Sequence, residues 1–250
     1  MNGRKAVRHL MAGMTVAALL PVPVAAQQQP TEPGWPQPVS ADQPIGYAIL
    51  NQNELRTGDG TSYRWEGEGW YGGNFNRLWI KSEGNLDTSS GALGEAEVQG
   101  LYSHAVTAYF NLQAGVRYDF APNSRGWVAL GVEGLAPLNW EIGAFVFASD
   151  GGHLGARLDG YYDLYLTQRL VLQPQFELNA YSRADRAGRI GTGLSSGDFG
   201  LRLRYELRRE LAPYIGVTYE ARYGATADLA RSAGDSSSEV RFVVGLQAWF

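Results

Sequence analysis

The residues able to do chemistry in this chain are few, and their types narrow the field. The chain has 250 residues and no cysteine, which removes thiolate nucleophiles, thiolate-ligated metals and disulfides. Its three methionines, Met1, Met11 and Met14, all fall in the first fourteen positions. Of the three histidines, only His104 and His153 lie beyond residue 26. What remains is carboxylate. Glu95 stands two positions from Glu97, Asp159 and Asp163 stand near Arg157, and Lys81 stands two from Glu83. On an extended strand, residues separated by an even number project to one side, so each set shares a face. Neighbouring acids can bind a hard or borderline cation through oxygen, which makes Glu95, Glu97, Asp159 and Asp163 the candidate metal ligands. The competing reading is that acids and bases sharing a face pair into salt bridges that fill and stiffen an interior. Ser103 is next to His104 but must face the opposite way, so the two cannot form a nucleophile and base. Gly58-Asp59-Gly60 and Gly151-Gly152 precede no helix and read as hairpin turns rather than phosphate cradles. No catalytic or cofactor-binding residue is assigned, and the expectation is a protein that is not an enzyme.

Strands must position those side chains. From Ile45 onward an alternation with a period of two recurs between turn signals, and no helical period holds for long. Twelve segments show it, at about 45–57, 61–73, 76–87, 94–106, 109–120, 125–136, 139–149, 153–166, 169–182, 196–208, 211–223 and 239–250. Every Asp, Glu, Lys and Arg in them falls on the polar face, with acids in excess. A soluble sandwich would also alternate. Soluble strands, however, are usually about 5 or 6 residues long, whereas a tilted strand crossing a bilayer needs about 9 to 11. The even count, the alternation of brief turns (Thr167-Gln168, Arg209-Glu210) with longer loops (183–195 and 224–238), and a closing strand ending on Phe250 all fit an outer-membrane barrel. The predicted fold is therefore all-β, a transmembrane antiparallel β-barrel of about 12 strands. Its apolar face meets lipid and its charged face lines the interior, because lipid cannot satisfy open sheet edges.

Several local expectations follow. Tyr47, Tyr63, Tyr71, Tyr102, Trp140, Tyr162 and Tyr223 lie near strand ends and are expected to face outward as interfacial girdles. Pro174 lacks a donor inside the ninth segment, so a bulge or an unpaired position is expected there. His104 and His153 fall at opposite ends of inward-running strands, about 30 Å apart, too far to share a metal ion. The acidic interior should favour cations.

The first 26 residues read as an export signal: Arg4, Lys5 and Arg8, then the apolar run 10–20, then Val24-Ala25-Ala26. Eleven apolar residues before Pro21 are too few for a membrane helix, which needs about 20. Removing them lowers 21 basic residues to 18 against 25 acidic ones, a balance unsuited to nucleic acid. Residues 27–44, with five prolines, read as an extended Pro/Gln-rich tether, leaving 45–250 as one barrel domain.

Several runs resemble the copper resistance protein B family of outer-membrane barrels: RTGDG at 56–60, GGNFNRLWIKSEG at 72–84, EAEVQGLYS at 95–103, LQAGVRYDF at 112–120, ALGVEGLAP at 129–137, LTQRLVLQPQFELNAY at 166–181, LRLRYELRRELAPYIGV at 201–217, TADLARSAG at 226–234 and the closing VRFVVGLQAWF. The resemblance spans about 45–250. It implies an outer-membrane protein of a Gram-negative envelope, exported by the general secretory pathway and folded by the barrel-assembly machinery. It also implies copper ion as the bound species and periplasmic copper-handling proteins as partners. The chain departs from the family ahead of the barrel, where members often carry a Met- and His-rich segment: residues 27–44 contain neither. Copper(I) prefers thiolate and thioether ligands, which the chain lacks beyond residue 14. Copper(II) on carboxylate oxygen and imidazole nitrogen is the compatible form. The alternative is a general small-solute or structural barrel without a metal role.

Overall fold

A computed structural model describes residues 43–185 and 188–250. The expected signal and almost all of the expected tether lie outside the described residues. Thirteen strand segments follow in chain order: β1 Ile45–Thr57, β2 Thr61–Gly72, β3 Asn76–Asp87, β4 Leu93–Ala105, β5 Phe110–Ala121, β6 Arg125–Ala136, β7 Trp140–Ser149, β8 Leu154–Tyr161, β9 Leu164–Tyr165, β10 Leu170–Tyr181, β11 Gly193–Tyr205, β12 Leu211–Arg222 and β13 Ser238–Trp249. β8 and the two-residue β9 occupy one strand position, both against β10. Twelve positions therefore close into an antiparallel barrel, β13 pairing back on β1 from Ile49↔Trp249 to Thr57↔Phe242. The terminal aromatic is locked into that seam: Phe250 N–H donates to the Ala48 carbonyl at 2.8 Å, and Ala48 N–H to the Phe250 carbonyl at 3.0 Å. Closure removes the sheet edges that lipid could not satisfy.

Connections alternate in length. At the rim holding Ile45 and Phe250, the terminal rim, all turns are short. At the opposite loop rim lie the two long connections, 182–192 and 223–237. The second holds the helix α1 (Gly224–Ser232), where the sequence pattern had suggested plain loop. Nine residues without a side-chain N-cap leave little local signal; the helix is held by burying Thr226, Ala227 and Ala230.

The outer face is apolar, with Leu78, Ile80, Val116, Val128, Ile215 and Phe242 all exposed. Tyr71 and Tyr102 are exposed among them, and Trp140 stacks on Tyr162 at 5.7 Å and against Phe176 at 6.0 Å. Tyr47 departs from the expected girdle. The β1 register shifts between Leu50 and Gln52, which reverses facing below that point, and Tyr47 packs instead against Trp70 and Trp249, each 6.1 Å away.

Pro174 has the unpaired position expected of it, on one side of β10 only. β10 passes through it in unbroken register with β11 as Pro174↔Leu201. The irregularity lies in the neighbouring strand, which breaks at Tyr162-Asp163 between β8 and β9. The same register sets Tyr162 opposite Pro174: the Pro174 carbonyl accepts the Tyr162 N–H at 3.0 Å, but proline has no N–H to return to the Tyr162 carbonyl, and the ladder is interrupted there.

The interior is not uniformly charged. Trp79, Leu101, Trp127, Ala129, Phe145 and Phe147 form a buried apolar wall across β3 to β7. Gly131 makes room for it, since a Cβ there would sit 2.2 Å from the Phe145 ring.

Candidate functional site

Inward side chains divide the lumen into two chambers. Toward the loop rim lies an outer vestibule of about 500 Å³. Its roof is tied down by Thr226 of α1, whose Oγ1 accepts the Gly191 N–H at 2.8 Å and lies 2.9 Å from Ser195 Oγ. The Arg125–Asp185 pair at 3.0 Å and the Arg189–Asp235 pair at 2.8 Å brace the same rim. The vestibule's charged lining is balanced, seven basic and seven acidic side chains. Toward the terminal rim lies a smaller inner chamber of about 120 Å³. Eight acids line it, Glu66, Glu68, Glu83, Glu97, Glu133, Glu141, Asp159 and Glu177, against two bases, Lys81 and Arg157.

Between them runs a layer of cross-lumen ion pairs. Arg157 of β8 reaches Glu83 of β3 at 2.5 Å and Glu97 of β4 at 3.0 Å. Arg64 of β2 reaches Glu177 of β10 at 3.0 Å, and Arg117 of β5 adds a second contact to Glu97 at 2.6 Å. On the seam side, Glu54, fully buried, accepts from Arg56 at 2.8 Å, Arg202 at 2.7 Å and Tyr214 at 2.9 Å. Arg56 continues to Asp198 at 2.5 Å and Glu220 at 2.7 Å. Arginine suits this work, because its planar fork holds several carboxylates at once. The expected salt-bridged interior is therefore present at this level.

Below the layer the bookkeeping of charge changes. Glu83, Glu97 and Glu177 are taken up by arginine, which leaves five chamber acids. Among the described residues Glu66 accepts from the Gln52 amide at 2.6 Å, and Glu141 accepts the Tyr161 hydroxyl. Glu68 at 3.4 Å and Glu133, in a shorter contact, share Lys81. Asp159 has no ion pair among the described residues. Two carboxylates about 5 Å apart repel by roughly 3 kcal/mol at an effective dielectric of 20, so a mobile cation here is stabilised by several of them together.

The four sequence-derived ligands mark different parts of this path rather than one ligand set. Glu95 lines the vestibule. Glu97, beyond a register shift at Ala96/Glu97, belongs to the ion-pair layer and borders both chambers. Asp159 lines the inner chamber, while Asp163, in the break between β8 and β9, pairs with Arg204 at 2.7 Å. Among the described residues no three His, Asp or Glu side chains converge closely enough to hold a metal ion directly. His104 is exposed near the terminal rim, 2.8 Å from Asn76 Oδ1, and His153 follows the turn at the loop rim. Ser103 is buried on the inner face while His104 is exposed on the outer one. Sequence reasoning missed Glu66, Glu68, Glu133 and Glu141 as a group. The alternation put each on the inward face, but which levels meet across a barrel depends on its stagger.

Comparison with known proteins agrees with this architecture. Residues 45–250 match the family model described as copper resistance protein B precursor. Copper resistance protein B of Escherichia coli is 45% identical over 212 residues, covering 84% of this chain and 71% of that protein. A copper resistance protein B homolog of Pseudomonas syringae pv. tomato is 45% identical over 193 residues, covering 77% of this chain and 65% of its own length. Among solved structures, the NanC porin superposes with a TM-score of 0.53 at 16% identity, covering 82% of this chain and 99% of that one, a likeness of fold alone. The barrel is an outer-membrane protein.

Proposed function

The chain belongs to the copper resistance protein B family, and from that membership we propose that it handles copper as cargo at the outer membrane, passing or sequestering it in the lumen together with periplasmic copper-handling proteins. The observation that carries this reading is the inner chamber, where eight acids face two bases. The donors there are carboxylate and amide oxygens, which suit copper(II) rather than copper(I). Glu95 would meet the ion in the vestibule and Asp159 would hold it in the chamber, these being the two sequence-derived ligands without an ion pair among the described residues. Glu97 and Asp163, already paired with arginine, shape the path electrostatically. The family membership supports a role without catalysis. Growth across copper concentrations tests the reading: deletion of the gene lowers tolerance and the wild-type chain restores it, whereas unchanged tolerance overturns it.

One observation favours a second reading, a structural or general small-solute barrel without a metal role. The ion pairs of Arg64 and Arg157 reach across the lumen, as a filling layer would. Planar-bilayer conductance separates the two. Copper-dependent current supports passage, and a closed baseline that copper leaves unchanged supports a filled lumen.

A further inference from the structure

Lys81 is chemically alone in this barrel. The chain has two lysines, Lys5 and Lys81, and every other basic residue is arginine or histidine. Arginine builds the cross-lumen layer, where fixed multidentate pairing is needed. The lysine stands where it is not: in the inner chamber, a compact charge on a four-carbon stem that can swing. Its ammonium lies between Glu68 at 3.4 Å and Glu133 of β6 across the lumen. It also lies 5.2 Å from the ring centroids of both Trp79 and Phe145, within the range of cation–π attraction. Two carboxylates and two aromatic faces thus hold a cation that the protein supplies itself. A separate observation shows that the chamber has oxygen donors to spare. Gln99 is 5% exposed and lines it; its amide NH2 donates to Glu97 at 2.8 Å, and its Oε1 has no hydrogen-bond partner among the described residues.

We propose that Lys81 is a tethered place-holder in a divalent-cation site of the inner chamber, and that a metal ion occupies the site by displacing the ammonium from Glu68 and Glu133. The inference rests on the reading that this lumen handles cations. With no three acids among the described residues converging on one point and room for several waters, the ion is held hydrated, through its water shell, by Glu68, Glu133, Asp159 and the Gln99 oxygen. The tether sets the selectivity. A monovalent ion offers the chamber the same charge as the ammonium it must displace and lacks the lysine's covalent proximity. A dication brings one charge more to five otherwise under-compensated carboxylates.

The single lysine of the barrel makes this measurable. Reductive methylation with 13C-formaldehyde keeps the positive charge and labels Lys81 together with Lys5 and the terminal amine, and K81M identifies the Lys81 signal. On the refolded full chain, zinc(II) shifts that signal, copper(II) broadens it, and potassium chloride at equal ionic strength leaves it in place. In calorimetry, K81M binds copper(II) about tenfold more tightly than wild type, about 1.4 kcal/mol. A Lys81 signal unmoved by zinc(II), or an unchanged or weaker copper(II) affinity in folded K81M, overturns the proposal. If K81M does not fold, the wild-type signal decides alone, assigned by difference from K5M. An unmoved signal in a protein whose deletion lowers copper tolerance overturns this inference and leaves the copper reading standing. A signal that moves with zinc(II) in a protein whose deletion leaves tolerance unchanged supports the inference and overturns that reading.

Discussion

The vestibule and the inner chamber are lined by the same strands under the same alternation, yet their charges are arranged for opposite ends. In the vestibule and the layer beneath it, acids and arginines are matched, and the most buried members interlock: Glu54 with Arg56, Arg202 and Tyr214, and Arg157 with Glu83 and Glu97. In the chamber five acids are left with one lysine, which pairs with two of them and is backed by an aromatic wall. Matched arginine lattices resist rearrangement, because removing one partner leaves the others charged and partly desolvated. An acid excess around a single flexible ammonium leaves a position that a mobile cation can take. The difference teaches that net lumen charge is a poor guide to this barrel; what matters is which carboxylates are already answered.

Substitutions that unlock the matched region should therefore cost the most. Glu54→Ala strands Arg202 in a buried setting and takes from Arg56 one of its three acids; it is expected to destabilise the barrel by about 3 to 5 kcal/mol, measured by urea unfolding in lipid vesicles. Arg157→Met leaves Glu83 and Glu97 without their shared partner. It is expected to cost about 3 kcal/mol and to raise ionic conductance by joining the two chambers. A smaller change marks the chamber: Glu68→Gln keeps the Lys81 contact to Glu133 in a hydrated cavity, so stability should shift by less than about 1 kcal/mol while divalent binding weakens. A cost like that of Arg157→Met would erase the distinction between the regions. Least of all should Pro174→Ala matter, within about 0.5 kcal/mol, because the bond its restored N–H can give the Tyr162 carbonyl is offset by the freedom the unfolded chain regains without proline.

Much of this was legible in the sequence. The expected bounds of β1, β3 and β6 match the structure, since each is bounded by turn residues. Other features depend on contacts that the alternation does not encode. β11 begins at Gly193, three residues earlier than its polarity pattern suggests, because Ala180 and Tyr181 of β10 offer partners to Leu194 and Gly193. Tyr47 is turned inward by a bulge in β1, whereas the ladder donor missing at Pro174 was readable from the residue itself. For the site, parity set every chamber acid inward, but only closure brings β2, β3, β6, β7 and β8 around one space. The same holds for Glu95 and Glu97, neighbours in sequence that meet different surroundings.

The most direct test compares two isosteric neutralisations of acids that have no ion pair among the described residues, one in each region, by copper(II) calorimetry on the refolded barrel. Wild type should bind copper(II). Asp159→Asn, in the chamber, should weaken binding about tenfold, roughly 1.4 kcal/mol, and Glu95→Gln, in the vestibule, should leave it within about twofold. Absence of copper(II) binding in the wild type, or a loss on Glu95→Gln equal to or greater than that on Asp159→Asn, would contradict the account.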